Sequence, residues 1–506
     1  MTGIDAYWGV LMRTVRRAII SGGFSISVIL ALAPAASAAQ AGVAQAGVAQ
    51  AGVAQAGVAQ AKPVVLTVGQ AASQDVPPAA GSEPDTLVEP DAAADPEHPG
   101  VAVVVGHDGR YSDGGAVGIT HAWTRDGGRT WRHAPVPFIT TAAGGAWDRA
   151  SDPVLAFGPG GVLYLSTIAF NSSATDCRSV VLVSRSTDGG ATFEPPSTAQ
   201  STNDCTIFND KNWLTVDDNA RSPYRGRVYQ FWSYFVGDFA KQQVRWSDDR
   251  GRTWSAAVVV TPDATDTQAS QALVHLDGSI TDVYLDYTGT GRTPDREREQ
   301  AEARADAAAA EPGVPLRART SHDGGRTWSG AVTVTTDVGG DVPGVRCCLP
   351  SAVIDPVTGR MHAVWQSTDL SLLQESSSPD GVHWSAPVTV NPDRTATTQV
   401  INADVAAYAG RVLVSYGVRD SAVADGRYVR QRAAFSYDAG RSFPGRVRLG
   451  PISDLTYAAQ AGGAFPGDYI GTAVSRGLFY AAWPVSSKPP YGGTYHQVLY
   501  AAAIRP

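Results

Sequence analysis

The chain has 506 residues, 43% hydrophobic, 17% charged and 8% aromatic, a globular composition that excludes a disordered or fibrous protein. Its formal net charge is −8, from 40 Lys and Arg against 48 Asp and Glu, which excludes a basic nucleic-acid surface. Length alone suggests about three domains, but one closed repeat architecture absorbs it as well.

In chain order, the first feature is an address. Arg13, Arg16 and Arg17 precede an apolar, small-residue run from Phe24 to Ala36, and Ala36-Ser37-Ala38 has the small-x-small form that signal peptidase cuts. Residues 1–38 therefore read as a secretion signal and the protein as secreted and extracellular. No other apolar run approaches the roughly 20 residues of a spanning helix. Four copies of Ala-Gly-Val-Ala-Gln fill residues 41–60, a period too short to bury anything, so 39–61 reads as a linker. Residues 62–506 remain for one folded domain.

Six segments of that domain share one pattern. They are Thr124-Arg-Asp126-Gly-Gly128-Arg-Thr130-Trp131, Ser186-Thr-Asp188-Gly-Gly190-Ala-Thr192-Phe193, Ser247-Asp-Asp249-Arg-Gly251-Arg-Thr253-Trp254, Ser321-His-Asp323-Gly-Gly325-Arg-Thr327-Trp328, Ser377-Ser-Pro379-Asp-Gly381-Val-His383-Trp384 and Ser436-Tyr-Asp438-Ala-Gly440-Arg-Ser442-Phe443. The fifth is degenerate. Each reads as a hairpin turn in which the Asp accepts backbone N–H bonds, the Gly takes positive φ and the aromatic packs into the sheet. These segments resemble the Asp boxes (BNR repeats) of sialidase-like β-propellers, and the resemblance spans essentially all of 62–506.

The box starts recur at intervals of 56 to 74 residues, and the longest interval holds a Glu/Arg/Ala-rich insert near 291–312. Each period has room for four antiparallel strands, a propeller blade. After the sixth box, strands at 469–474, 478–483 and 497–501 leave a last blade one strand short, and Val64–Val68 is placed to supply it. The expected fold is all-β, a propeller of four-stranded antiparallel blades closed by an N-terminal strand, with seven blades favoured over six.

If the boxes join third to fourth strands on one face, the loops leading into each first strand gather on the other. Those loops contain Glu89-Pro90-Asp91, Asp148 to Pro153, Asn209-Asp210-Lys211-Asn212-Trp213, Arg346-Cys347-Cys348-Leu349-Pro350, Asn402-Ala403-Asp404 and Phe465-Pro466-Gly467-Asp468-Tyr469. Most carry a carboxylate at nearly the same place, and convergent carboxylates raise one another's pKa or bind a cation. The alternative for each is an Asx-type cap on its own loop.

The resemblance implies a secreted glycoside hydrolase acting on terminal sugars of glycans, of the exo-α-sialidase type. Carried onto this sequence, Tyr469 is the nucleophile and Asp152 the acid/base, and Arg149, Arg346 and Arg419 form the carboxylate clamp that planar guanidinium forks suit. Asp210, Lys211 and Asp404 complete the substrate-binding set. No glutamate is assigned to assist Tyr469, and Glu375 falls on a strand. Two other readings stand beside this one. A glycosidase working on a non-sialic substrate needs only a carboxylate pair, here Asp152 and Asp468. A non-catalytic propeller would bind a glycan or protein. None of the readings requires a cofactor or a catalytic metal, and Ca²⁺ is the structural ion an acidic channel would suit. The expected partner is a glycan or glycoconjugate, without nucleic acid or a membrane span, and the protein is expected to be a monomer.

Four cysteines in an exported chain suggest two disulfides. Cys177 and Cys205 lie on neighbouring site-face loops and are expected to pair. That leaves Cys347-Cys348, either a vicinal bridge presenting a rigid apolar face to a sugar, or two thiols or an intermolecular link.

Overall fold

The computed structural model describes residues 62–172, 176–290 and 313–506. The secretion signal, the linker and the 291–312 insert expected from the sequence lie outside the described residues. Among the described residues all regular structure is β-strand or short 3-10 turn, and no helix is long and apolar enough to cross a membrane.

Strand β1 (Val64–Ala72) comes first. The first sheet holds β2 (Leu87–Ala94), β3 (Ala102–Arg110), β4 (Ala116–Thr124) and β5 (Arg132–Pro135); the second holds β6 (Arg149–Gly158), β7 (Val162–Phe170), β8 (Ser179–Ser186) and β9 (Ser197–Thr202). The third holds β10 (Ile207–Val216), β11 (Val228–Val236), β12 (Phe239–Ser247) and β13 (Val258–Val259); the fourth holds β14 (Thr267–Val274), β15 (Ile280–Asp286), β16 (Val314–Ser321) and β17 (Val332–Val338). The fifth holds β18 (Ser351–Ile354), β19 (Met361–Gln366), β20 (Leu373–Ser378) and β21 (Val388–Thr389); the sixth holds β22 (Thr398–Tyr408), β23 (Arg411–Asp420), β24 (Tyr428–Ser436) and β25 (Gly445–Asp454). A short hairpin, β26 (Ala459–Gln460) with β27 (Ala464–Phe465), precedes β28 (Gly471–Ser475), β29 (Leu478–Ser486) and β30 (Gln497–Arg505). Strand β1 pairs antiparallel with β30, from Val64 opposite Arg505 to Ala72 opposite Leu499. A single pair, Ala116 opposite Ala150, joins the first and second sheets.

Strands such as β7, Val-Leu-Tyr-Leu-Ser-Thr-Ile-Ala-Phe, are buried on both faces because each sheet is covered by its neighbours. Every gap between successive sheets holds its own apolar cluster. Val103 and Ile119 meet Leu155 and Leu163 between the first and second sheets, and Val181 meets Leu214 and Trp232 between the second and third. Leu413 and Phe435 meet Phe479 and Trp483 between the sixth and seventh. Between the seventh and the first, Tyr480 and Leu499 meet Leu87 and Val104, with Ala71 and Ala72 of β1 in the same cluster. The first strands follow the same order side by side, with β28 against both β22 and β2.

The six repeated turns share a bonding scheme. In the third, the Ser247 hydroxyl donates to Asp249 Oδ1 at 2.7 Å, the Gly251 N–H donates to Ser247 Oγ at 2.8 Å, and the N–H groups of Arg252 and Thr253 donate to Asp249 Oδ1. The Thr253 hydroxyl closes the turn on Asp249 Oδ2. Gly190, the glycine of the second turn, sits at φ +83°, and a Cβ there would lie 2.3 Å from Val103 of the neighbouring sheet. The fifth turn is shifted by one residue from the alignment used for the sequence: Ser378 and Asp380 take the paired roles and His383 Nδ1, 2.8 Å from Asp380, replaces the threonine hydroxyl.

Candidate functional site

One backbone feature recurs in all seven sheets. Early in each first strand, or a few residues before it, a residue at a matching place has positive φ: Glu89 (51°), Asp152 (52°), Lys211 (40°), Ala269 (63°), Cys348 (93°), Asn402 (49°) and Gly467 (107°). In the strands that contain it, the register with the second strand shifts there, as at a β-bulge. Six of the seven are not glycine, so side-chain sterics are tolerated at six equivalent places, a form of strain that clusters at functional sites. The bulge turns Glu89, Asp152 and Lys211 toward one another.

The Glu89 carboxylate lies 3.0 Å from His107 Nε2, and Asp152 Oδ1 lies 3.9 Å from the same nitrogen. The Asp152 N–H also donates to His107 Nε2 at 2.7 Å, and the Ser151 hydroxyl donates to Asp152 Oδ1 at 2.8 Å. Glu89, His107 and Asp152 are all buried. Burial pushes the Glu89 carboxyl up, but His107, Lys211 and Arg110 outweigh it and hold the group at about 2. Asp152 moves the other way, raised by burial and by the Glu89 charge. Two neighbouring carboxyls are thus driven apart in acidity.

Asp468 adds a third carboxyl from the seventh sheet. Its N–H donates to Glu89 Oε1 at 3.1 Å, and its carboxylate pairs with Arg346 Nη2 at 3.3 Å. Burial raises its pKa first, Arg346 opposes, and Glu89 raises it further. Arg346 and Arg110 both stack on Phe465, at 5.4 and 4.2 Å from the ring centroid. Burial and the neighbouring Arg346 pull the Arg110 guanidinium down to about 10, and its Nε has no hydrogen-bond partner among the described residues. The Asp468 and Arg346 side chains, 21% and 28% exposed, form the open edge of an otherwise buried cluster.

Lys211 Nζ makes no hydrogen bond among the described residues and lies 3.8 Å from the Tyr469 ring centroid. Among the described residues the Tyr469 hydroxyl donates to the Pro153 carbonyl, at 3.5 Å. Burial, then Glu89, Asp152, Asp91 and Asp468, push its phenol well above the ordinary range.

The other expected site residues are held elsewhere. Arg149 pairs with Asp113 at 2.7 Å and stacks on Tyr111; Arg419 donates to Gln399, Gly426 and Pro343. Neither guanidinium joins Arg346 in a clamp, because each is bound locally. Asp404 ties the sixth sheet to the seventh by accepting from the N–H and hydroxyl of Thr472, and also holds Ser351 of the fifth, its pKa raised to about 6 chiefly by burial. Asp91 does the same between first and second sheets, accepting from the Leu155 N–H at 2.6 Å. Asp210 accepts from Gln268 at 3.4 Å. The bridges Cys177–Cys205 and Cys347–Cys348 are both formed. The vicinal pair packs against Val342, Val345 and Ile401, each cysteine only 6% exposed, so it presents little face to a sugar.

Three residues of the cluster were not chosen from the sequence. Glu89 was visible in its loop, at the same offset as Asp152 and Lys211. His107 and Arg110 sit on a second strand and carry no motif.

No family model matches the sequence, and no curated protein matches it. Solved structures similar to the chain include a protein of unknown function from Dyadobacter fermentans DSM 18053, 13% identical with a TM-score of 0.43, over 87% of this chain and 100% of that one. Penicillium chrysogenum α-L-arabinanase complexed with arabinobiose is 15% identical, TM-score 0.45, over 78% and 99%. The leech intramolecular trans-sialidase is 12% identical, TM-score 0.44, over 76% and 70%.

Among the described residues, Glu89, His107 and Asp152 are a group with metal-ligand spacing, their donor atoms within 4.8 Å of one another. Two carboxylates and an imidazole do not match the six to eight oxygens Ca²⁺ takes. The chemistry the cluster offers without an ion is proton transfer between carboxyls of different acidity, beside fixed cations.

Proposed function

We propose that the seven four-stranded sheets are the blades of one propeller closed by β1, and that the protein is a secreted glycoside hydrolase acting on glycans at the end of its first strands. One observation carries this reading: buried carboxyls from three blades, Glu89, Asp152 and Asp468, meet there, with an ionised Glu89 raising the other two. Pairs of titratable groups whose surroundings push their pKa values apart assign acid and base.

Asp152, its pKa raised by burial and the Glu89 charge and with no Lys or Arg ion pair among the described residues, is the general acid. Asp468, paired with Arg346 at the open edge, is its carboxylate partner. Glu89 sets the charge between them, and Lys211, Arg110 and Arg346 balance the anion. An exo-α-sialidase is the narrower form of this proposal. Its support is Tyr469 beside Glu89 and the two guanidinium groups of Arg110 and Arg346; the raised phenol favours the carboxylate pair over a tyrosine nucleophile.

The test is a panel of fluorogenic glycosides that includes a sialoside and an arabinofuranoside, offered to the folded mature chain. Turnover of one member supports the reading. A folded protein inert to the whole panel, but binding a glycan, would replace it with the binding-module reading.

A further inference from the structure

Outside the strand-end cluster, the described residues contain a cavity of about 190 Å³ beside the sixth sheet, where the loop between β21 and β22 lies over β24 and β25. Its lining includes five arginines, Arg394, Arg419, Arg430, Arg432 and Arg448, against two aspartates, Asp393 and Asp420. That excess of positive charge stands out on a chain of net charge −8. Arg430 and Arg432 alternate on β24, so they share a face, and Arg448 on β25 lies opposite Arg432 in the ladder.

The arginines are not equally engaged. Arg432 pairs with Asp393 at 2.7 Å, Arg394 donates to the Ser371 hydroxyl, and buried Arg419 spends its donors on Gln399 and two carbonyls. Arg430 and Arg448 make no side-chain hydrogen bond or ion pair among the described residues. Like charges gathered around a concavity repel unless an anion joins them. A guanidinium fork meets sulfate or carboxylate oxygens bidentately, with charge-assisted bonds stronger than neutral ones. The volume lies below the roughly 300–1,000 Å³ of pockets that enclose drug-sized ligands, so it suits one charged group on one sugar ring.

We infer that this cavity is an anion subsite that holds a sulfate or carboxylate group of an acidic saccharide, with Arg430 and Arg448 as its forks. The saccharide carrier rests on the proposed glycan function; the anion site rests on the cavity alone. Its lining contains none of the residues placed in the reaction.

The experiment is titration calorimetry on the mature chain with inorganic sulfate, a sulfated disaccharide, an unsulfated uronate disaccharide and a neutral disaccharide. The two charged disaccharides separate sulfate from carboxylate as the bound group. Arg430→Gln/Arg448→Gln is expected to weaken the preferred anion by ~10-fold or more, about 1.4 kcal/mol, and added salt is expected to weaken the wild type. Arg430→Lys/Arg448→Lys, which keeps the charge without the fork, should fall between. Equal affinity in wild type and double Gln variant, no binding of any charged probe, or equal binding of the neutral disaccharide would each overturn the inference. Asp152→Asn should leave anion binding unchanged, so a silent glycoside panel with intact anion binding defeats the catalytic reading alone.

Discussion

At the residue scale, burial decides which carboxyls keep their protons. Asp282, inside the fourth sheet, accepts from the Ser270 hydroxyl and is pushed by burial to about 8. Its folded-state pKa lies above the unfolded value, so the folded chain holds a proton the unfolded chain releases. The stabilisation is complete below about pH 4 and is lost as pH rises toward 8, by up to about 1.4 kcal/mol per unit. Urea midpoints at pH 5 and pH 8 should therefore fall more steeply for wild type than for Asp282→Asn; parallel slopes would show that Asp282 is ionised in the fold. Tyr469→Phe should retain turnover within about tenfold if the carboxylate pair does the chemistry. A loss of about a thousandfold on a sialoside would favour the tyrosine nucleophile instead. The site residues were partly legible. Asp152 and Lys211 could be found because a first-strand offset repeats; Glu89 obeys that offset too, and Asp468 lies one residue past it. Arg149 and Arg419 could not be judged, since their partners Asp113 and Pro343 are brought near only by the fold.

At the scale of the element, each repeated turn closes on one carboxylate. Asp323 accepts from the N–H groups of Arg326 and Thr327 and from the Thr327 and Ser321 hydroxyls. Asp323→Ala is expected to cost about 1–2 kcal/mol, as loss of a helix cap does, read as a lowered chemical-denaturation midpoint with turnover retained at low denaturant. Lost turnover without lost stability would give the turn a catalytic part. These turns were readable because the bonds are local and the spacing is fixed. The fifth shows the limit: its Pro379 occupies the place of the Asp in the aligned pattern, and only the bonds of Ser378 and Asp380 reveal the shorter turn.

For the whole molecule, the succession of four-stranded antiparallel sheets was legible from periodicity, as was a strand near Val64, which pairs with β30. The bulges that orient the site were not, because positive φ at Glu89, Asp152 and Asn402 leaves no residue-type signature of the kind glycine would. Removal of residues 62–72 strips β30 of its partner and Ala71 and Ala72 from a core cluster. It should lower stability by roughly 3 kcal/mol or more, measured by denaturant titration, and an unchanged midpoint would contradict closure by β1. The central claim is that Asp152 and Asp468 perform glycoside hydrolysis at the end of the first strands. It is tested most directly by kcat/KM for wild type, Asp152→Asn and Asp468→Asn on the glycoside the enzyme turns over best. A fall of about a hundredfold or more in both variants, with unchanged folding, is the predicted result; variants as active as wild type would contradict it.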